Sequence, residues 1–251
     1  MADMDPKSTE TTDGLSRRQF VTGVGGAGLG VVVGGMLVKG FFLPEDVYAV
    51  PASEGYLLVD TKKCAGCVSC MLACSMVHSG ESNLSLSRIQ ILNDVFAGFP
   101  NGVVQEQCRQ CPHPYCAEAC PTGAMHADAD NGYARTVDQA KCIGCERCVE
   151  ACPFTPSRVQ WDPKQRKAQK CDLCKDTPYM SAEGGAGGMQ ACVAVCPHAA
   201  ITFTKEIPVQ ADSGYQVNLR TQNGTWAAMG FPTNDDGSVT PAPAAAPAAG
   251  H

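Results

Sequence analysis

The chain is poor in aromatic and charged side chains: aromatics supply 6% and charged residues 18% of its 251 positions. That scarcity argues against a large conventional core and places the source of stability elsewhere. Positive charge is also short. Lys and Arg number 19 against 25 Asp and Glu, giving a net charge of −6 and a pI near 5.3. Such a balance does not suit a nucleic-acid backbone as partner. Histidine is sparse, and His78, His113, His126 and His198 are scattered with no Ser/His/Asp or paired-carboxylate arrangement beside them. A self-contained enzyme is therefore not expected. No C-x-x-C is followed by histidine, which excludes c-type haem attachment.

What the chain does have is cysteine. Sixteen cysteines fall into four groups: Cys64-67-70-74, Cys108-111-116-120, Cys142-145-148-152 and Cys171-174-192-196. The first and third read C-x-x-C-x-x-C-x-x-x-C, and the last three close with proline, at Pro121, Pro153 and Pro197. In bacterial ferredoxins this spacing lets three cysteines hold one iron–sulfur cluster while the fourth reaches another. Structural zinc prefers four ligands drawn from well-separated pairs, which fits these groups poorly. A disulfide framework belongs to shorter chains without a repeated ligand spacing. With four thiolates per cluster, no cysteine is left over as a nucleophile.

The N-terminus reads as an export signal. Ser16-Arg17-Arg18-Gln19-Phe20 matches the twin-arginine pattern, followed by an uncharged stretch from Gln19 to Val38. That stretch approaches the ~20 residues that span a bilayer, so an uncleaved leader would serve as an anchor. Val47-Tyr48-Ala49 and Val50-Pro51-Ala52 are weak cleavage candidates. Gly23-Val24-Gly25-Gly26-Ala27-Gly28 fits G-x-G-x-x-G, but no strand precedes it and no βαβ unit follows, so it does not read as a dinucleotide site.

The expected organisation is a leader over residues 1–43, a linker over 44–55, a cysteine-rich domain over 56–204, an extension over 205–238 and a Pro/Ala tail over 239–251. An internal repeat lies inside the domain: Val59–Cys74 and Val137–Cys152 agree at nine of sixteen positions, five of them not cysteine. Gly66 and Gly144 occupy matching places, where a loop wrapped around a cluster calls for positive φ or lacks room for a Cβ. Residues 158–161 and 167–170 around Asp162-Pro163 read as a hairpin. Residues 215–219 and 225–229 around Asn223-Gly224 read as a second one. A glycine-rich insertion separates Cys174 from Cys192, and Cys74 is followed by Ser75 rather than proline; these are the two departures from the pattern. Lys62, Lys63, Lys141 and the basic run Lys164–Lys170 sit beside the cysteine loops, as solvated lysines or as modulators of the clusters. Met189 and Trp161 are candidates for packing on a cluster, with ordinary packing as the plainer alternative.

Over residues 56–204 these motifs resemble the four-cluster iron–sulfur subunits of molybdenum and tungsten oxidoreductases, the dimethyl-sulfoxide reductase family and its polysulfide, thiosulfate, formate and nitrate relatives. Met71–Ser75 followed by Ser85–Ile89 also looks like the small subunits of tungsten aldehyde oxidoreductases. The resemblance implies an α+β fold of two pseudo-symmetric ferredoxin-like modules with short helices, hairpins and long loops. It implies four [4Fe–4S] clusters, held by Cys64, Cys67, Cys70 and Cys196; by Cys74, Cys171, Cys174 and Cys192; by Cys108, Cys111, Cys116 and Cys152; and by Cys120, Cys142, Cys145 and Cys148. The first two would form an outer pair and the last two an inner pair within 105–155. The implied role is a non-catalytic electron relay between a Mo/W pterin subunit and a membrane quinone-reactive subunit or cytochrome, outside the cytoplasm. A subunit of a tungsten aldehyde oxidoreductase-like or hydrogenase-type complex, or a stand-alone periplasmic polyferredoxin, is the alternative.

Overall fold

The computed structural model describes residues 50–98, 101–221 and 223–240. The twin-arginine segment, the rest of the leader and the Pro/Ala run from residue 241 lie outside the described residues. The structure is an α+β arrangement of short pieces. In chain order these are β1 (Tyr56–Val59), α1 (Ser69–Ser79), β2 (Gln90–Asn93), β3 (Val103–Glu106), α2 (Tyr115–Glu118), β4 (Met125–Asp128), β5 (Ala134–Val137), α3 (Arg147–Glu150), β6 (Val159–Asp162), β7 (Lys167–Lys170), α4 (Ala191–Val195), β8 (Ile201–Thr204) and α5 (Gly224–Ala228). The strands form antiparallel pairs only: β1 with β8, β2 with β3, β4 with β5 and β6 with β7. No described helix is long and apolar enough to cross a membrane.

The sequence repeat carries the same hydrogen bonds in both copies. Val59 pairs with Ile201 and Val137 pairs with Met125. One residue on, the Asp60 N–H donates to the Ala200 carbonyl and the Asp138 N–H to the Ala124 carbonyl, each at 2.8 Å. Both aspartates then fold the chain into the first cysteine: Asp60 Oδ1 accepts from the Lys62 N–H at 3.1 Å, and Asp138 Oδ1 from the Ala140 N–H at 2.9 Å. An aspartate that bonds the backbone two residues on makes an Asx turn, which is why Asp recurs here. Between β1 and β8 the chain runs through all four cysteine groups, leaving β1 into the first and entering β8 from the fourth. Between β4 and β5 a short turn links the end of one inner group to the start of the other.

The 158–170 hairpin forms as expected, with Val159 opposite Lys170 and Asp162 Oδ1 accepting from the N–H groups of Lys164 and Gln165. The second hairpin does not form. Asn223 is not a turn residue there; its side chain accepts from the Trp226 N–H at 3.1 Å and caps the helix α5. The partner stretch lies along the domain instead. Gln216 bridges Val59 in parallel, and Arg220 and Leu219 donate to Asp60 Oδ2 at 3.0 and 2.9 Å. Tyr215, 1% exposed, tucks under the Arg109 guanidinium at 4.3 Å.

Absence of proline after Cys74 has a visible result. α1 runs on through Ser75, whose hydroxyl donates to Leu72 O at 3.0 Å and accepts from the Asn83 N–H, and the helix stops only at Gly80, φ +68°. α2, α3 and α4 end before or at the closing cysteine that proline follows.

Gly144 and Gly123 separate two reasons for glycine. Both have positive φ, +71° and +65°, but a Cβ on Gly144 would lie 2.3 Å from the Arg166 carbonyl oxygen, whereas one on Gly123 meets nothing within 4 Å. Gly123→Ala is expected to cost only the left-handed backbone penalty, about 1 kcal/mol, and Gly144→Ala clearly more. Denaturant unfolding of the cluster-loaded protein measures both, and equal losses would sink the steric argument.

Candidate iron–sulfur centres

Each cysteine group is built on the same local frame. The residue before the second cysteine has positive φ in all four: Gly66 at +66°, Gln110 at +48°, Gly144 at +71° and Leu173 at +58°. The third cysteine is the second residue of a helix in every group, Cys70 in α1, Cys116 in α2, Cys148 in α3 and Cys192 in α4. The fourth follows one helical turn later. Its sulfur accepts a backbone N–H each time: Cys74 from Arg88 at 3.3 Å, Cys120 from Met125 at 3.4 Å, Cys152 from Arg158 at 3.2 Å and Cys196 from Ala200 at 3.2 Å. Such N–H···S bonds favour the thiolate, the ligating form.

The fold brings cysteines together across groups. Cys64, Cys67 and Cys70 line one cavity with Cys196. Cys108, Cys111 and Cys116 line another with Cys152, and Cys142, Cys145 and Cys148 line a third with Cys120. Cys74, Cys171, Cys174 and Cys192 lie close enough to interact electrostatically in the core, so the long insertion does not remove Cys192 from its group. The insertion closes by backbone approach: Gly184 abuts the Cys174 carbonyl so tightly that no Cβ fits, and Gln190 Nε2 donates to the carbonyls of Gly185 and Gly188, both at 2.9 Å. All sixteen cysteines are free of disulfides. Among the described residues no three His, Cys, Asp or Glu side chains converge on a point suited to one metal ion. Four thiols around a small apolar space fit a multi-iron cluster rather than a zinc ion.

Burial opposes ionisation of these thiols. Desolvation, reinforced by neighbouring cysteines, pushes Cys70 and Cys174 up to about 12 and Cys111 and Cys148 up to about 11. Without metal they are thiols at neutral pH, so ligation must displace protons.

Charged side chains surround the centres in ways the sequence did not show. Arg88 Nη1 meets Asp172 Oδ2 at 2.7 Å in the core, beside Cys74 and Cys171. Lys170, buried in β7, places Nζ 3.8 Å from Cys116 Sγ; burial works to lower its pKa, but Cys108 and Cys116 overcome that and raise it. Lys63 is buried too, yet its Nζ faces the Ala199 and Leu219 carbonyls, and desolvation lowers its pKa. Lys62 and Lys141 are solvated and pair with Asp235 and Asp138. His113 is a surface residue 3.2 Å from Glu118, while His198 lines the first cavity. Trp161 lines the cavity of Cys120 and Cys142; Met189 is half-exposed. A cleft of about 560 Å³ lined by Arg88, Asp128, Asp138, Lys170 and Asp172 contains no cysteine.

Residues 101–206 match the model of the 4Fe-4S dicluster domain. Protein NrfC of Escherichia coli (strain K12) is 34% identical over 193 residues, 75% of this chain and 79% of NrfC. The thiosulfate reductase electron transfer subunit PhsB of Salmonella typhi is 36% identical over 180 residues, covering 69% and 88% of the two chains. The hydrogenase-2 operon protein HybA of Escherichia coli O157:H7 is 25% identical over 228 residues, 82% of this chain and 67% of HybA. The chain belongs to this family of iron–sulfur electron-transfer subunits, the non-catalytic members of hetero-oligomeric oxidoreductase complexes.

The sign of the thiol shifts gives a test. A cluster bound through any of Cys70, Cys111, Cys148 or Cys174 would displace that thiol's proton, so retention of iron against a chelator should then weaken as pH falls, by about tenfold per displaced proton per pH unit. A pH-independent retention would contradict it. Separately, Arg88→Met should destabilise the protein by about 2 kcal/mol, the cost of one lost charge-assisted hydrogen bond, because the buried Asp172 keeps the Cys174 and Asp176 N–H groups and the His78 ring as partners, readable in chemical unfolding.

Proposed function

We propose that the sixteen cysteines hold four [4Fe–4S] clusters in two pseudo-symmetric ferredoxin-like modules. The ligand sets are Cys64, Cys67, Cys70 and Cys196; Cys74, Cys171, Cys174 and Cys192; Cys108, Cys111, Cys116 and Cys152; and Cys120, Cys142, Cys145 and Cys148. The observation that carries this reading is the exchange of the closing cysteine: each set joins three thiols of one group to the fourth of its partner group. The recurring strand register and Asx turns support the two-module reading.

When bound, such clusters accept and release one electron at a time. The polypeptide's task is to hold the sites in series and keep them dry. Neighbouring sets lie within electrostatic reach of one another in order: Cys192 feels Cys70, Cys171 feels Cys108 and Cys148 feels Cys116. That succession favours a linear relay from the Cys64 set to the Cys120 set. Exposed Cys67 and Cys145 mark its two ends. In this reading electrons pass between a Mo/W pterin subunit and a membrane quinone-linked subunit or cytochrome. The resemblance of the motifs to subunits of that enzyme class, and the similarity to PhsB, a thiosulfate reductase electron transfer subunit, support it. The twin-arginine pattern at Ser16–Phe20 supports export to the outer face of the cytoplasmic membrane.

Anaerobically purified protein should contain about sixteen irons, four per cluster. Cys196→Ala should remove about four of them, with loss of one reduced paramagnetic signal; an unchanged iron content and spectrum would refute the pairing of Cys196 with Cys64, Cys67 and Cys70. Arg17→Lys with Arg18→Lys should leave the complex in the cytoplasm, and normal export of the double variant would exclude dependence on this signal.

A further inference from the structure

Gln105 stands out among the buried polar side chains. It lies in β3 opposite Ile91, is 2% exposed, and neither its Nε2 nor its Oε1 has a hydrogen-bond partner. Burying an unsatisfied amide costs about 1–3 kcal/mol. Its neighbour Gln107, also fully buried, spends its amide on the Leu57 carbonyl at 3.0 Å. Gln105 has no such protein partner, and it lines the cavity of Cys64, Cys67, Cys70 and Cys196. Strand alternation puts it there: Val104, one residue earlier, faces outward at 38% exposure.

The rest of that cavity is apolar apart from the thiols and His198, and it contains no Lys, Arg, Asp or Glu. The cavity of Cys108, Cys111, Cys116 and Cys152 differs, with Lys170, Arg109 and Arg158 among its walls. A donor amide with no protein acceptor, facing four thiols in a charge-free pocket, matches an anionic sulfur acceptor. We propose that Gln105 donates an N–H from Nε2 to a sulfur of the cluster held by Cys64, Cys67, Cys70 and Cys196, and so sets the potential of this terminal centre. No protein partner fixes the amide's rotation, so its NH2 is free to turn toward the sulfur. The inference rests on the ligand set proposed above. It makes Gln105 a positioning and tuning residue, not a ligand.

A hydrogen bond to sulfur is stronger when the cluster carries its extra electron, so it favours the reduced state. No atom is transferred; only the balance between the two oxidation states shifts. In a redox titration of the intact complex followed by electron paramagnetic resonance, Gln105→Leu should lower the midpoint of one centre. That centre is the one whose signal Cys196→Ala abolishes. The expected size is about tenfold in its reduced-to-oxidised ratio, or about 59 mV for one electron. The other midpoints and the iron content should stay as in the unaltered protein. Full iron with no midpoint moved overturns the proposal.

A second measurement does not depend on how the variant folds. Unaltered protein carrying ¹⁵N at glutamine side-chain amides should show a ¹⁵N hyperfine coupling at that reduced centre, absent in Gln105→Asn, whose amide is one methylene short. No coupling, or one that survives in Gln105→Asn, overturns it whatever Gln105→Leu does. If the unaltered protein holds no iron at the Cys64 set, the ligand assignment itself has failed, a result distinct from a loaded centre whose midpoint is indifferent to residue 105.

Discussion

Thiolates repel one another, and an apolar interior disfavours each of them singly. This chain nevertheless gathers its cysteines in fours, several of them buried enough that desolvation drives Cys70 and Cys174 up to about 12. An interior so arranged has no favourable ionised state by itself. A polycationic iron–sulfide core reverses the balance: it neutralises the thiolates and fills the space between them. Most of the architecture follows from that requirement. Few aromatic residues are needed, strands can be four residues long, and a helix of one turn suffices to carry the third cysteine of a group and deliver the chain to the fourth. Metal binding and folding become one event.

Wrapping backbone around such a core imposes its own cost. The position before each second cysteine is left-handed, and in the second and fourth groups a residue with a Cβ occupies it, Gln110 and Leu173. For an L-residue that conformation costs about 1–2 kcal/mol, so both must be held by their surroundings. Leu173 packs in the core at 1% exposure. Gln110 is fixed from both ends: its Oε1 accepts from the Arg135 N–H at 2.7 Å and its Nε2 donates to the Cys171 carbonyl at 3.0 Å. A glycine there would relieve the backbone but lose the tie between the inner and outer groups. The strain and the cross-link reside in the same side chain.

How far the sequence could be read follows from the range of each interaction. Cysteine spacing, the Val59/Val137 repeat, the glycines at 66 and 144 and the Asp162 hairpin are local patterns with a local cause, and they were legible. Left-handed Gln110, Leu173 and Ala199 were not, because nothing in their side chains announces positive φ. Asn223-Gly224 misled because asparagine serves equally as a turn residue and a helix cap; which use prevails depends on Trp226 and on Gln216 finding Val59. Arg88 with Asp172, and Lys170 against Cys116, join segments 84 and 54 residues apart and leave no periodic trace. Lysines that looked alike on paper divide into solvated Lys62 and Lys141 and buried Lys63 and Lys170 only once the fold is known.

The distribution of buried charge explains why one cysteine pattern can serve many redox partners. Backbone N–H groups reach the fourth sulfur of every group at nearly the same distance, a contribution common to all centres. Side chains are where the centres diverge. Lys170 and two arginines crowd the Cys108 cavity, Arg88 and Asp172 offset one another beside Cys74, and the Cys64 cavity is uncharged. Cluster potentials respond to nearby charge and hydrogen bonds over a span of roughly 1 V. A family can therefore keep its ligands and its frame while retuning each step by substitutions that touch no cysteine. This is the physical reason the motifs identify a wire and leave its direction unwritten.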